Sequence, residues 1–280
     1  MSKISSIEIL SKNAFENCVT KKYDFQTFHE ITKLNTLREK ILGKNISQII
    51  SNPVFIEGAV NSSHSFVTHP KINLPSDFTD YEKQTEGFRK VLFSRRSIRK
   101  FSSKSLTLSE VSYILNSSYG ISGTLENLEK EYYQELRTSP SAGGLYPLEI
   151  YFYANKIEGL EKGIYHYNPS EHNLSVLQKG ELDLSEFTSY SSIAKQSACV
   201  IFITAVFPRL SYKYGERSYR FVHLDAGHLG QNIYLSAESI DIGALAIGGF
   251  FDDEINSLLN IDGVTEGIVY EFFIGHKDES

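Results

Sequence analysis

Residues 212–220 read YKYGERSYR, with Lys213, Arg217 and Arg220 set among Tyr212, Tyr214 and Tyr219. An amine and a phenol have ordinary pKa values of about 10.4 and about 10. Neighbouring cations lower both, and burial lowers a lysine further. Crowding Lys213 and Tyr214 with Arg217 and Arg220 therefore suits a general base. Taken alone, the stretch reads as a basic, aromatic loop that closes over a ligand or packs at a seam between copies.

Two other stretches carry groups suited to an anion and a flat polar ligand. SRRSIRKF (94–101) puts Arg95, Arg96, Ser97 and Arg99 within five residues. Guanidinium groups form paired, charge-assisted bonds to phosphate oxygens, and a serine hydroxyl adds a donor. The alternative is a solvated basic turn. RTSPSAGGLYPLE (137–149) places Gly143 and Gly144 between Pro140 and Pro147. Such a loop can present main-chain N–H groups and the Ser139 and Ser141 hydroxyls to a ligand. It reads equally as a tight turn feeding a strand.

The elements that must position these groups follow from the patterning. Leu108, Val111, Ile114 and Leu115 recur at helical spacing in 106–120, with Thr107 or Ser109 as the cap. LEIYFYAN (148–155), GIYHYN (163–168), ACVIFITAVF (198–207) and GIVYEFFIG (267–275) have the composition of strands. A long helix is expected from about Arg220 to Ser239, then a buried apolar connection with Gly243, Gly248 and Gly249, and a short helix at 252–260. Gly227 and Gly230 inside the long helix call for a close neighbour, since each costs about 1 kcal/mol relative to alanine. Before residue 90 the chain is polar and irregular, with one helix expected around 28–44 and an extended piece at 69–78. This divides it into an extension, 1–90, and a main domain, 91–280. Strands and helices mix without strict alternation, which favours an α+β fold over a doubly wound one.

Composition narrows the function. The 280 residues carry a net charge of -6, with 41% hydrophobic and 22% charged residues. That balance excludes a general binder of nucleic acid or anionic membrane. With only Cys18 and Cys199, and Cys199 inside an apolar run, a reduced core thiol and a cytoplasmic location are expected. The first 18 residues hold no continuous apolar stretch with a small-residue cleavage site, and no apolar run approaches the ~20 residues of a membrane span, so neither export nor insertion is expected. His223 and His228 lack an acidic or thiol partner at ligand spacing, so no metal site is expected. GxGxxG, GxxxxGK[ST] and GxSxG are absent, which removes the usual support for a Rossmann site, a P-loop or an α/β-hydrolase.

In order along the chain, SRRSIRKF, RTSPSAGGLYPLEIY, KY followed by RSYR, GHLGQNIYLSAE and ALAIGGFFDDEINSLL resemble the SagB-type dehydrogenase branch of the nitroreductase superfamily, over residues 90–276. The resemblance implies an α+β, nitroreductase-like fold with a central, mainly antiparallel sheet flanked by helices, homodimeric with FMN at the interface. Arg95, Arg96, Ser97 and Arg99 would hold the phosphate and ribityl end. Ser139, Pro140, Ser141, Ala142 and Gly143 would lie along the ring, with Gln231 a helical polar contact. Ala246, Ile247, Gly248 and Gly249 would pass close to the ring, and Lys277 would reach the phosphate. The Lys213–Tyr214 pair matches the catalytic feature of members that oxidise thiazoline or oxazoline rings in ribosomally made peptides. A precursor peptide and cyclodehydratase subunits are the implied partners. The rival readings are an NAD(P)H-dependent flavin reductase acting on a dehydroamino acid or nitro compound, and a non-catalytic scaffold subunit.

Overall fold

A computed structural model describes residues 22–53, 68, 70–74, 79–127 and 132–278. Cys18, the rest of the N-terminal stretch before Lys22 and parts of the 69–78 piece lie outside the described residues. The chain divides into two compact units, one of Met1–Lys33 with Arg95–Ser280 and one of Leu34–Ser94.

In the larger unit, α1 (Asp24–Thr32) precedes β1 (Leu106–Thr107), α4 (Leu108–Tyr119), the hairpin β2 (Ile121–Asn127) and β3 (Tyr132–Arg137), and β4 (Leu148–Ala154). Next come β5 (Ile157–Glu158), β6 (Gly163–Asn168), β7 (Asn173–Lys179), α5 (Ser191–Gln196) and β8 (Cys199–Val206). The chain continues through α6 (Pro208–Tyr214), α7 (Ser218–Ser239), β9 (Ile242–Ile247), α8 (Asp252–Leu258) and β10 (Glu266–His276). The smaller unit contains α2 (Thr36–Ile50) and α3 (Thr79–Ser94).

Six strands form one sheet in the order β7-β6-β4-β8-β10-β9. Every pairing in it is antiparallel, so the expected α+β class holds. Alternation along the strands sends Phe152, Ile201, Ile203 and Phe272 to one face, where Val111, Ile114, Leu115, Val222, Leu229 and Ile233 of α4 and α7 cover them. Tyr153, Val200, Phe202 and Phe273 go to the other face, against Leu184, Ile255 and Leu259. Burying each large side chain stabilises the fold by roughly 1.5–3 kcal/mol. Cys199 is one of these core residues, a buried free thiol.

Local chemistry sets the helix boundaries. At α4 the expected Thr107 cap forms: its Oγ1 accepts Glu110 N at 3.1 Å, while Glu110 Oε2 accepts Thr107 N at 2.7 Å. Gly230 of α7 has the close neighbours its cost demanded, since an added β-carbon would stand 2.9 Å from the Phe272 and Tyr270 rings. Gly227 has open space instead. The single helix expected at 28–44 is two, because Lys33 is extended (ψ 138°) and Asn35 Oδ1 caps the second helix by accepting Leu37 N and Arg38 N. Among the described residues, no helix is long and apolar enough to cross a membrane, and no group of three or more His, Cys, Asp or Glu could hold a metal.

Candidate active site

Helix α6 carries the Lys213–Tyr214 pair. It starts at Pro208, whose fixed φ and missing N–H suit the first helical turn, and stops at Gly215, where φ is +54°. Leu210 and Ser211 are buried, whereas Tyr212 and Lys213 are exposed and Tyr214 is half-buried. The Tyr214 ring meets Phe221 edge to face at 4.9 Å, and Lys213 Nζ lies 5.1 Å from its centroid. Both tips point at the glycine loop: a β-carbon on Gly143, where φ is +64°, would be 2.5 Å from Tyr214 Oη and 2.7 Å from Lys213 Nζ. The structure thus brings Lys213 and Tyr214 onto the backbone of the PSAGG stretch.

That loop is held from α7 by two residues the motif reading did not single out. Asp225 Oδ2 accepts the Ser141 hydroxyl at 2.5 Å, and Oδ1 accepts Ala142 N at 3.3 Å. Asp225 is buried, and burial raises its pKa despite the opposing bonds from Ser141 and Ala142. Asn232 Nδ2 donates to Ser139 Oγ at 2.9 Å, and Ser139 Oγ donates to Ser118 O at 2.8 Å. Gln231, next to Asn232 on α7 and expected as a helical polar contact, is exposed. A signal was present in the sequence: Asp225 and Asn232 are two turns apart, on one stripe of the helix. Pro140 is exposed beside Ser139.

A second group assembles around Tyr234. Arg95 Cζ lies 5.0 Å from the Tyr234 ring centroid, Ser97 Oγ is 3.1 Å from Tyr234 Oη, and Ala246 N donates to that same hydroxyl at 2.8 Å. Ile98 N donates to Ala244 O at 3.0 Å, which lays the arginine stretch along β9. Arg96 and Arg99 are exposed at its surface. Ile247 is buried in the core, Gly248 is exposed, and Gly249 O accepts the Ser189 hydroxyl at 3.2 Å. Lys277 is already engaged: Glu238 Oε2 and Asp241 Oδ1 lie 3.0 and 2.7 Å from its Nζ. Burial opposes its charge, but those two carboxylates hold its pKa above the ordinary value.

The two groups sit on opposite sides of α7. At about 100° per residue, Tyr234 lies about 180° around the helix from Asp225. A helix is roughly 10 Å across, so α7 stands between the two groups within one chain. Beside the first group lies a cleft of about 970 Å³, lined by Asp24, Phe25, Arg217, Arg220, Phe221 and Leu224 among others.

The nitroreductase family profile matches residues 92–276. The chain belongs to the nitroreductase family. Protein MJ1384 of Methanocaldococcus jannaschii, named as a nitroreductase, is 36% identical over 173 residues, which cover 61% of this nitroreductase-family chain and 83% of that protein. The trifolitoxin-processing protein TfxB of Rhizobium leguminosarum bv. trifolii is 29% identical over 50% of this chain and 39% of its own length. The microcin B17-processing protein McbC of Escherichia coli is 26% identical over 51% of this chain and 56% of its own. This chain therefore spans well under two thirds of either processing protein. In the E. coli microcin synthetase McbBCD complex with truncated pro-MccB17 bound, the matching chain superposes with a TM-score of 0.63 at 19% identity, covering 81% of this chain and 83% of that one. That agreement is one of fold.

Proposed function

We propose that this nitroreductase-family protein is an FMN-dependent azoline dehydrogenase, oxidising thiazoline or oxazoline rings of a ribosomally made peptide to thiazole or oxazole. The observation that carries this reading is the packing of Lys213 Nζ and Tyr214 Oη against Gly143. The similarity to two peptide-processing proteins, TfxB and McbC, supports it.

The residues present fit FMN. Arg95, the Ser97 and Tyr234 hydroxyls and the β9 end at Ala246 form one cationic, donor-rich group, suited to a phosphate and ribityl chain. The 139–143 loop, with its glycine at positive φ, offers a flat backbone surface for a ring. Because α7 separates the two groups, the site is completed by a second copy, the arginine group of one protomer facing the glycine loop of the other. The exposed stripe Arg220, Leu224, Gly227, His228 and Gln231 on α7 is the face for that pairing, and the open space at Gly227 admits close helix approach.

Bound FMN supplies a two-electron acceptor for the hydride that leaves the azoline. Aromatisation also releases a proton from the adjacent carbon, and the protein must take it. Tyr214, assisted by Lys213, or Lys213 itself, removes that proton. The Asp225 bonds to Ser141 and Ala142 fix the surface on which the pair rests. A cyclodehydratase that forms the azolines and a precursor peptide are the matching partners.

The higher identity to the nitroreductase-named MJ1384 favours a second reading, an NAD(P)H-dependent flavin reductase. The absorbance of the purified protein separates the two. The dehydrogenase is yellow and keeps its flavin oxidised when NAD(P)H alone is added, whereas rapid bleaching establishes the reductase. A colourless protein that FMN cannot reconstitute overturns both.

A further inference from the structure

Arg209 stands in the first turn of α6 and reaches two other elements. Its Nη1 lies 2.5 Å from Glu149 Oε1 and donates to Tyr146 O at 3.3 Å. Glu149 is the second residue of β4, and its other oxygen pairs with His166 Nε2 of β6 at 2.8 Å. Tyr146 belongs to the loop on which Lys213 and Tyr214 rest, and it has φ +45°, sparsely populated for a non-glycine residue. One guanidinium therefore joins the helix carrying the reactive pair, the rigid sheet, and the loop facing the pair.

Helix α6 is only seven residues long, too short to hold an orientation without tertiary contacts. Lys213 follows Arg209 by four residues and shares its face, so a rotation of α6 that frees Arg209 also swings Lys213 and, beside it, Tyr214. Glu149 is 16% exposed and Arg209 35%. Burial disfavours the Glu149 charge, but His166 and Arg209 hold its pKa below the ordinary value, so the anchor stays ionised at neutral pH. A lysine in place of Arg209 has a single compact ammonium on a flexible stem and lacks the planar fork.

We propose that Arg209, anchored by Glu149, is a positioning residue that sets the Lys213–Tyr214 pair against the 139–147 loop. The functional half of this inference rests on the proton-removal role assigned above. The geometric half does not, and the experiment reads the two separately. Protein labelled with 3-fluorotyrosine gives a fluorine NMR spectrum in which the Tyr214 resonance is assigned by its loss in Tyr214→Phe. In Arg209→Ala that resonance shifts, and kcat for ring oxidation falls about 10- to 100-fold with KM much less affected. Arg209→Lys gives an intermediate shift and rate, as does Glu149→Gln, and these keep the test open if Arg209→Ala fails to fold. An unmoved Tyr214 resonance in a folded Arg209 variant overturns the proposal, whatever the rate does. A moved resonance at the parent rate supports the positioning contact and overturns the catalytic role given to the pair.

Discussion

Tyr214 Oη occupies the space that a β-carbon on Gly143 would need, 2.5 Å from where that atom would stand. Two motifs far apart in sequence thereby meet, and a side chain at position 143 would displace the tips of Tyr214 and Lys213. Gly143→Ala adds the clash to the cost of a left-handed backbone for an L-residue, about 1–2 kcal/mol. The variant is expected to lose at least that much stability in urea unfolding. Because the tyrosine must move, it also loses on the order of 100-fold in ring-oxidation rate.

The Tyr234 hydroxyl is the junction of the other group, meeting Ser97 Oγ and accepting Ala246 N. Tyr234→Phe keeps the ring under Arg95 and deletes the junction. Losing one net hydrogen bond of about 1 kcal/mol is expected to raise the FMN dissociation constant about fivefold, measured by quenching of flavin fluorescence on titration.

The sequence made the sheet legible because its central strands are buried on both faces: the run at 198–207 could hardly be anything else, and β8 occupies 199–206. The long helix was legible for a similar reason, its buried positions Val222, Ala226, Leu229, Ile233 and Ala237 repeating at three and four. The β2–β3 hairpin and β7 were not: β7 is largely exposed and the described residues of the hairpin are exposed or half-buried, which leaves little periodicity to read. Helix α6 was missed because its seven residues span barely two turns. Within the site, Arg95, Ser97 and Gly143 were visible as residue types suited to an anion and a close backbone approach. Asp225, Asn232, Tyr234 and Arg209 were not, because each acts on a loop distant in sequence and only the fold makes that contact.

Glu271, central in β10, is 1% exposed, and among the described residues neither carboxylate oxygen makes a hydrogen bond of full geometry. Burial pushes its pKa well above the ordinary carboxylate value, with Thr188 opposing. The group is therefore protonated in the folded state at pH values where the unfolded chain, near about 4.3, has ionised. Its contribution to stability is full below that unfolded value and is lost as pH rises towards the folded one, at about 1.4 kcal/mol per pH unit. Glu271→Gln removes the titration. Between pH 5 and pH 8 the stability of the parent should fall relative to the variant, as thermal unfolding in a common buffer series can show.

Phe25 anchors α1 within the larger unit, stacking on Tyr23 and Tyr219 at 5.4 Å and tilting against Phe207 at 5.7 Å. Glu216, one residue past Gly215, accepts the N–H groups of Asp24 and Phe25 at 3.1 Å. Phe25→Ala is expected to cost roughly 3 kcal/mol in urea unfolding and to loosen the turn after Tyr214. Phe25→Leu should recover more than half of the loss.

The most direct test of the account is the mass of a cyclised precursor peptide after incubation with parent, Lys213→Ala and Tyr214→Phe proteins, each carrying FMN by its absorbance. The parent is expected to remove two hydrogens per azoline ring, and both variants to leave the ring mass unchanged over the same time while staying yellow. Conversion at the parent rate by either variant would contradict the role given to that residue, and a failure of the FMN-loaded parent to convert any ring would contradict the proposed activity itself.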